Sequence, residues 1–293
     1  MINKKKEWAR IGIYLLFAFV PPWVIGIILN VTMGFEEWFT GEGTNWIGAV
    51  YMAFPAIANV LTRFITKEGW KDSYLHLNLK GNLKYYFTGL LLPVFCGIVS
   101  GFVITFLFGK FSPQEITADM SPIRIFSFML MIFAMAAPLA FYTFGEEFGW
   151  RAYLYPKLEK LIGTPAACLA GGAIWGIWHA PLTVEGHNFG TDYWGYPWFG
   201  VILMIVLCTS YGTVMMWITK KTGSVYPAAI CHAVINNGGM VVGNFFITGV
   251  PEDIHIEIYH FLAEFSPFIL CGIIFFVMLV INSGKNKTKN MPV

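Results

Sequence analysis

Apolar residues in this chain do not alternate, nor are they confined to one helical stripe. They run on uninterrupted, and they do so in eight stretches: 11–30, 46–65, 85–109, 124–144, 163–180, 197–218, 224–248 and 259–281. Roughly 20 such residues of helix cross a hydrocarbon layer, and a helix satisfies its own backbone polar groups on the way. The pattern predicts an all-α, polytopic membrane protein with about eight transmembrane helices. The first stretch follows Lys4, Lys5 and Lys6, as a signal peptide would. It is long for one, and no small-x-small cleavage pattern follows, so it reads as a retained helix.

The polar segments between the stretches set the orientation. With the N-terminus in the cytoplasm and the chain alternating sides, every Lys and Arg except Lys110 and Arg124 falls on the cytoplasmic side. The opposite loops carry Glu36, Glu37, Glu42, Glu115, Asp119, Glu185, Asp192, Glu252, Asp253 and Glu257. The expectation is an integral protein of a bacterial-type plasma membrane with both termini cytoplasmic. The polar stretch 66–84 has room for a short loop or an interfacial helix.

Composition narrows the classes further. Charged residues are 12% of the 293, hydrophobic residues 56%, and mean hydropathy is +0.61. A soluble domain carries about twice that share of charge, so a water-soluble globule and a disordered chain are both excluded. A net charge of +2 gives no reason to expect a nucleic-acid partner. The expected partner is the lipid bilayer, and nothing specifies an oligomeric state. Cys96, Cys168, Cys208, Cys231 and Cys271 are odd in number, lie in apolar stretches and form no CxxC, so they read as small packing residues.

Charge inside an apolar span is costly and asks for a reason. Three segments pose that question. In Gly145-Glu146-Glu147-Phe148-Gly149-Trp150-Arg151, Glu147 and Arg151 are spaced i,i+4 on one helix face, in the favourable order for an ion pair. Glu146 points about 100° away. Either Arg151 neutralises Glu147 and leaves Glu146 for acid–base work, or the three are solvated charges at a helix end. His179 is the ionisable residue of its span, with Trp175 one turn before it; a satisfied core histidine is the plain alternative. His232 and Asn236 again share a face, with Asn237 adjacent, and could equally be interhelical hydrogen-bonding groups. Taken together, two carboxylates, two imidazoles and an amide from three helices could enclose a polar intramembrane cavity equipped for hydrolysis.

These residues resemble the motifs of the CPBP (CAAX protease and bacteriocin-processing, ABI) family of intramembrane proteases, which includes the type II CAAX prenyl endopeptidases. Glu146-Glu147-xxx-Arg151 is similar to its EExxxR motif. Trp175-xxx-His179 is similar to FxxxH, with Trp where Phe is usual. His232-xxx-Asn236 is similar to the third motif. The resemblance covers about 124–248, the expected protease core, while 1–123 holds helices without motif and 249–293 the last helix and a basic tail. It implies an intramembrane endopeptidase acting on a peptide or membrane-protein substrate near the cytoplasmic half of the bilayer, Glu146 and His179 activating water and His232 and Asn236 stabilising the oxyanion. It also implies that Glu147 and Arg151 support and orient Glu146. The alternatives are a non-catalytic bacteriocin-immunity or regulatory protein that binds a peptide in the same cavity, and a small proton-coupled transporter.

No cofactor is expected, although zinc on Glu146, His179 and His232 is the competing possibility. HExxH is absent, and no two histidines share one helix at ligand spacing. His187, His255 and His260 read as solvated residues in or near outer loops. One geometric demand follows from the spans. His179 lies roughly 24 Å along its helix from residue 163, but His232 only about 13 Å from residue 223. For both to reach Glu146, the fourth helix should continue past residue 144, kinked near Pro138, making 145–162 partly helical, or the fifth should tilt or start deeper.

Overall fold

Each apolar stretch becomes helix, but not every helix is long enough to cross a bilayer. The computed structural model describes residues 3–41, 46–110, 121–239, 241–250 and 258–289. Its helices are α1 (Lys4–Met33), α2 (Phe35–Thr40), α3 (Trp46–Thr66), α4 (Leu83–Phe108), α5 (Pro122–Gly149), α6 (Tyr155–Ile162), α7 (Thr164–Trp178), α8 (Ala180–Thr183), α9 (Trp198–Thr222), α10 (Tyr226–Val234) and α11 (Ile258–Lys289). No strand occurs among the described residues. The loop acids Glu42, Glu115, Asp119, Glu252, Asp253 and Glu257, and His255, lie outside the described residues, as does the side chain of His260.

Six helical runs are long and apolar enough to cross: Lys4–Met33, Trp46–Thr66, Leu83–Phe108, Pro122–Ile162, Trp198–Thr222 and Phe261–Ser283. This is an all-α polytopic membrane protein. The other two expected spans are short. The fifth is α7, 15 residues long, which stops at Trp178 and resumes as the four residues of α8. The seventh is α10, 9 residues long, which runs on as a π-helical turn (Ile235–Gly239) and a 3₁₀ turn (Val241–Phe246). At 1.5 Å per residue these two rise about 22 and 13 Å, short of a bilayer core of about 30 Å. Broken helices are tolerated at membrane depth where protein or a polar cavity surrounds them. The breaks fall at the residues singled out for chemistry, His179 and Asn236.

The fourth helix does run on. α5 passes residue 144, carries Glu146 and Glu147 in its last turn, and continues through a π-helical segment (Trp150–Leu154) into α6. Residues 145–162 are helical throughout, more than the partial helix expected. Stretch 66–84 forms no interfacial helix between Lys67 and Asn82. It folds back as loop, Tyr74 accepting from the Val225 N–H at 3.0 Å and Asn78 Nδ2 donating to the Thr222 carbonyl at 2.9 Å.

Without a hydrophobic drive between helices, association in a bilayer relies on close packing at small residues and on interhelical hydrogen bonds. Gly145 and Gly149 give α5 a face without side chains against α3. A Cβ on Gly145 would lie 2.7 Å from the Met52 carbonyl oxygen, and one on Gly149 2.5 Å from the Pro55 carbonyl carbon. Gly172 and Gly176 bring α7 equally close to α9, where a Cβ would sit 2.3 Å from Thr209 Cα and 2.5 Å from Ile205 Cα. Polar ties lock the arrangement: Asn59 Nδ2 donates to the Phe148 carbonyl at 2.8 Å, Thr143 to the Ala229 carbonyl at 2.7 Å, and Trp178 Nε1 to the Ala18 carbonyl at 2.8 Å. Gly149→Ala is expected to lower the unfolding temperature by about 5 °C or more through overpacking. Gly12→Ala, with nothing within 4 Å of the added carbon, should be neutral or mildly stabilising. Thermal melts of the detergent-solubilised variants check the contrast, and equal melting would refute the backbone contact.

Candidate active site

The glycine face of α5 dictates where its carboxylates point. With Gly145 and Gly149 against α3, Glu146 and Glu147 between them turn into the bundle, and both are buried. Glu147 is held by two cationic or imidazole partners. Arg151 Nη1 donates to its Oε1 at 3.1 Å, and Arg151 Nε lies 3.1 Å from Oε2. His232 Nδ1 stands 2.8 Å from the same Oε1. With Glu147 paired as a carboxylate it can only accept, so His232 carries a proton on Nδ1 and its Nε2 is the nitrogen left for other work. A buried ion pair persists only when its charges are matched and hydrogen-bonded, and here three side chains from α5, the π segment and α10 do the matching.

Glu146 is held by different partners. Its Oε2 accepts from Trp175 Nε1 at 2.7 Å and from Trp150 Nε1 at 3.3 Å. Arg151 reaches it through an intermediary, its guanidinium carbon lying 3.9 Å from the Trp175 ring centroid. The direct polar contact of the Glu147–Arg151 pair is therefore with His232, and its link to Glu146 runs through Trp175. Neither indole figured as a polar group in the reading of the sequence. The available signal was that a buried indole N–H has to find an acceptor.

His179 sits at the break between α7 and α8. Its Nδ1 is 2.9 Å from the Trp175 carbonyl oxygen, which can only accept, so Nδ1 again carries the proton and Nε2 is left over. Trp178 packs edge-on against the ring at 4.9 Å. Glu146, His179, His232 and Asn236 all line one cavity of about 650 Å³, while Glu147 and Arg151 are buried at 0% and 1% exposure and do not line it. The fourth, fifth and seventh expected spans contribute to the lining, and so do Tyr51 of α3, Tyr211 of α9 and Glu264 of α11.

His187 departs from its expected solvated position. It lines the same cavity, its ring parallel to that of His179 at 6.0 Å, with Phe39 edge-on at 4.9 Å. Burial pushes its imidazole down to about 4, so at neutral pH it is an uncharged ring. The loop after α8 turns back through an N–H from His187 to the Leu182 carbonyl, a reversal that polarity alone did not reveal.

Among the described residues no three His, Cys, Asp or Glu side chains gather into a group that could hold a metal ion. One oxygen of Glu146 is taken by two indoles and Nδ1 of each imidazole by a carbonyl or a carboxylate, so Glu146 Oε1 and the two Nε2 atoms are the donors that a metal there would have to use.

Fold and site together define a polytopic all-α membrane protein that encloses a buried carboxylate–imidazole cavity. Residues 124–238 match the family model described as type II CAAX prenyl endopeptidase Rce1-like. A curated relative, CAAX prenyl protease 2 of Methanococcus maripaludis, is 27% identical over 93 residues, 31% of this chain and 34% of that protein. The match thus spans about a third of the relative's length. These similarities liken residues 124–238 of this chain, its motif-bearing region, to the CPBP/CAAX protease family.

Proposed function

We propose that the protein is an intramembrane endopeptidase that hydrolyses a peptide bond in this cavity, with Glu146 as the water-activating base. The observation that carries the reading is the convergence of Glu146, His179, His232 and Asn236 on one cavity, while Glu147 and Arg151 satisfy each other and His232. The Glu146 carboxylate takes a proton from water, and the hydroxide attacks the scissile carbonyl carbon. The developing oxyanion accepts hydrogen bonds from Asn236 Nδ2 and from His232, whose Nε2 donates when the ring carries both protons. As the C–N bond breaks, the proton held by Glu146 passes to the leaving amine, His179 Nε2 assisting through the same water space. No step requires a metal.

The substrate class follows the name of the relative: a peptide with a prenylated CAAX-type end, presented by a membrane protein or free in the lipid. Following the charge distribution, we place both termini in the cytoplasm of a bacterial-type plasma membrane and the site toward its cytoplasmic half. The test uses purified full-length protein in lipid vesicles with a fluorescent prenylated CAAX-type peptide. Cleavage is expected and should persist after treatment with EDTA or phenanthroline. Binding without cleavage would favour the immunity-type alternative, and loss of activity on chelation would overturn the metal-free mechanism.

A further inference from the structure

Trp175 touches every group to which the mechanism assigns a charge or a proton, Asn236 aside. Its N–H meets Glu146 Oε2 at 2.7 Å, and its ring face carries the Arg151 guanidinium at 3.9 Å. It packs edge-to-face with His232 at 5.4 Å and with His179 at 5.8 Å between centroids, and its carbonyl accepts a hydrogen bond from His179 Nδ1. The ring is buried, and it stands where the family motif usually has phenylalanine. Phenylalanine could stack under Arg151 and fill the same space, but it has no hydrogen to give to Glu146.

Resting on the reading of Glu146 as the base, we propose that Trp175 is a positioning residue: its indole N–H, with the longer bond from Trp150, pins Oε2 of Glu146 and leaves Oε1 as the oxygen that faces the cavity and takes the proton of the attacking water. A free carboxylate rotates about its Cγ–Cδ bond and offers either oxygen. Two donors converging on Oε2 remove that freedom, and the planar indole, sandwiched against Arg151, is itself fixed. Base and water are thereby held in one attack geometry before substrate arrives.

The test compares Trp175→Phe and Trp150→Phe by steady-state kinetics, with indole-¹⁵N spectra of the full-length protein in detergent. Trp175→Phe keeps the stacking ring and removes the donor. It is expected to lower kcat about tenfold or more, the scale of a lost hydrogen bond to a charged group, with KM nearly unchanged. Trp150→Phe, losing the 3.3 Å bond, should lose less. The Trp175 indole signal, assigned by its disappearance in Trp175→Phe (or in Trp175→Tyr if that variant does not fold), should move upfield in Glu146→Ala. Full kcat in Trp175→Phe, an effect on KM alone, or an indole signal indifferent to Glu146→Ala would overturn the proposal. If the wild type cleaves nothing while the indole signal still responds to Glu146→Ala, the clamp stands and the protease reading is what fails.

Discussion

Glu146→Gln is expected to abolish measurable peptide cleavage while leaving the protein folded. Loss of a positioned general base typically costs about 10²–10⁴ in rate, and the adjacent carboxylate of Glu147 cannot substitute, because it is occupied by Arg151 and His232. The glutamine carbonyl still accepts from the two indoles that hold Oε2, so the unfolding temperature should stay within a few degrees of wild type. Cleavage rates of the two proteins in the same vesicles, beside their melting curves, decide the matter. Activity at the wild-type level in Glu146→Gln would remove the base from the mechanism.

Arg151→Met should be the most destabilising change in the site. Arg151 and Glu147 are both essentially inaccessible to solvent, 1% and 0% exposed. Removing one partner of such a pair leaves a buried charge uncompensated, at a cost of about 3–5 kcal/mol. For a chain of this size that corresponds to a drop of roughly 10 °C in unfolding temperature. The methionine also takes away the guanidinium stacked on Trp175, so activity should fall with stability. The double variant Glu147→Gln/Arg151→Met, with no charge left unpaired, should recover more than half of the lost stability; for groups in direct contact the two single effects are not additive. Melting of Arg151→Met at the wild-type temperature, or a double variant no better than the single one, would show that the pair does not hold the site.

The membrane-spanning class was legible because the cost of burying polar backbone and charge in hydrocarbon is large and acts locally, one stretch at a time. The eight apolar stretches each found a helix for that reason. Their lengths misled in two places. Stretches 163–180 and 224–248 are apolar enough to span, but α7 ends at Trp178 and α10 at Val234. Hydropathy registers solvation and is blind to helix breaks stabilised by neighbouring helices. The pairing of Glu147 with Arg151 was legible as i,i+4 spacing within one segment. The contact of Glu147 with His232 was not, since it joins residues 85 positions apart.

The sequence by itself determined the all-α membrane architecture, the i,i+4 spacing that lets Glu147 pair with Arg151, and the short roster of polar residues that could do chemistry. These depend on composition and on distances along one helix, which the covalent chain fixes. The tertiary structure alone decided that Glu146 is held by the indole of Trp175, that Glu147 serves His232, and that His187 turns inward beside His179. Such contacts depend on how closely neighbouring helices approach, and that is set by facing surfaces such as Gly145 and Gly149 on Met52 and Pro55, which no single segment reveals.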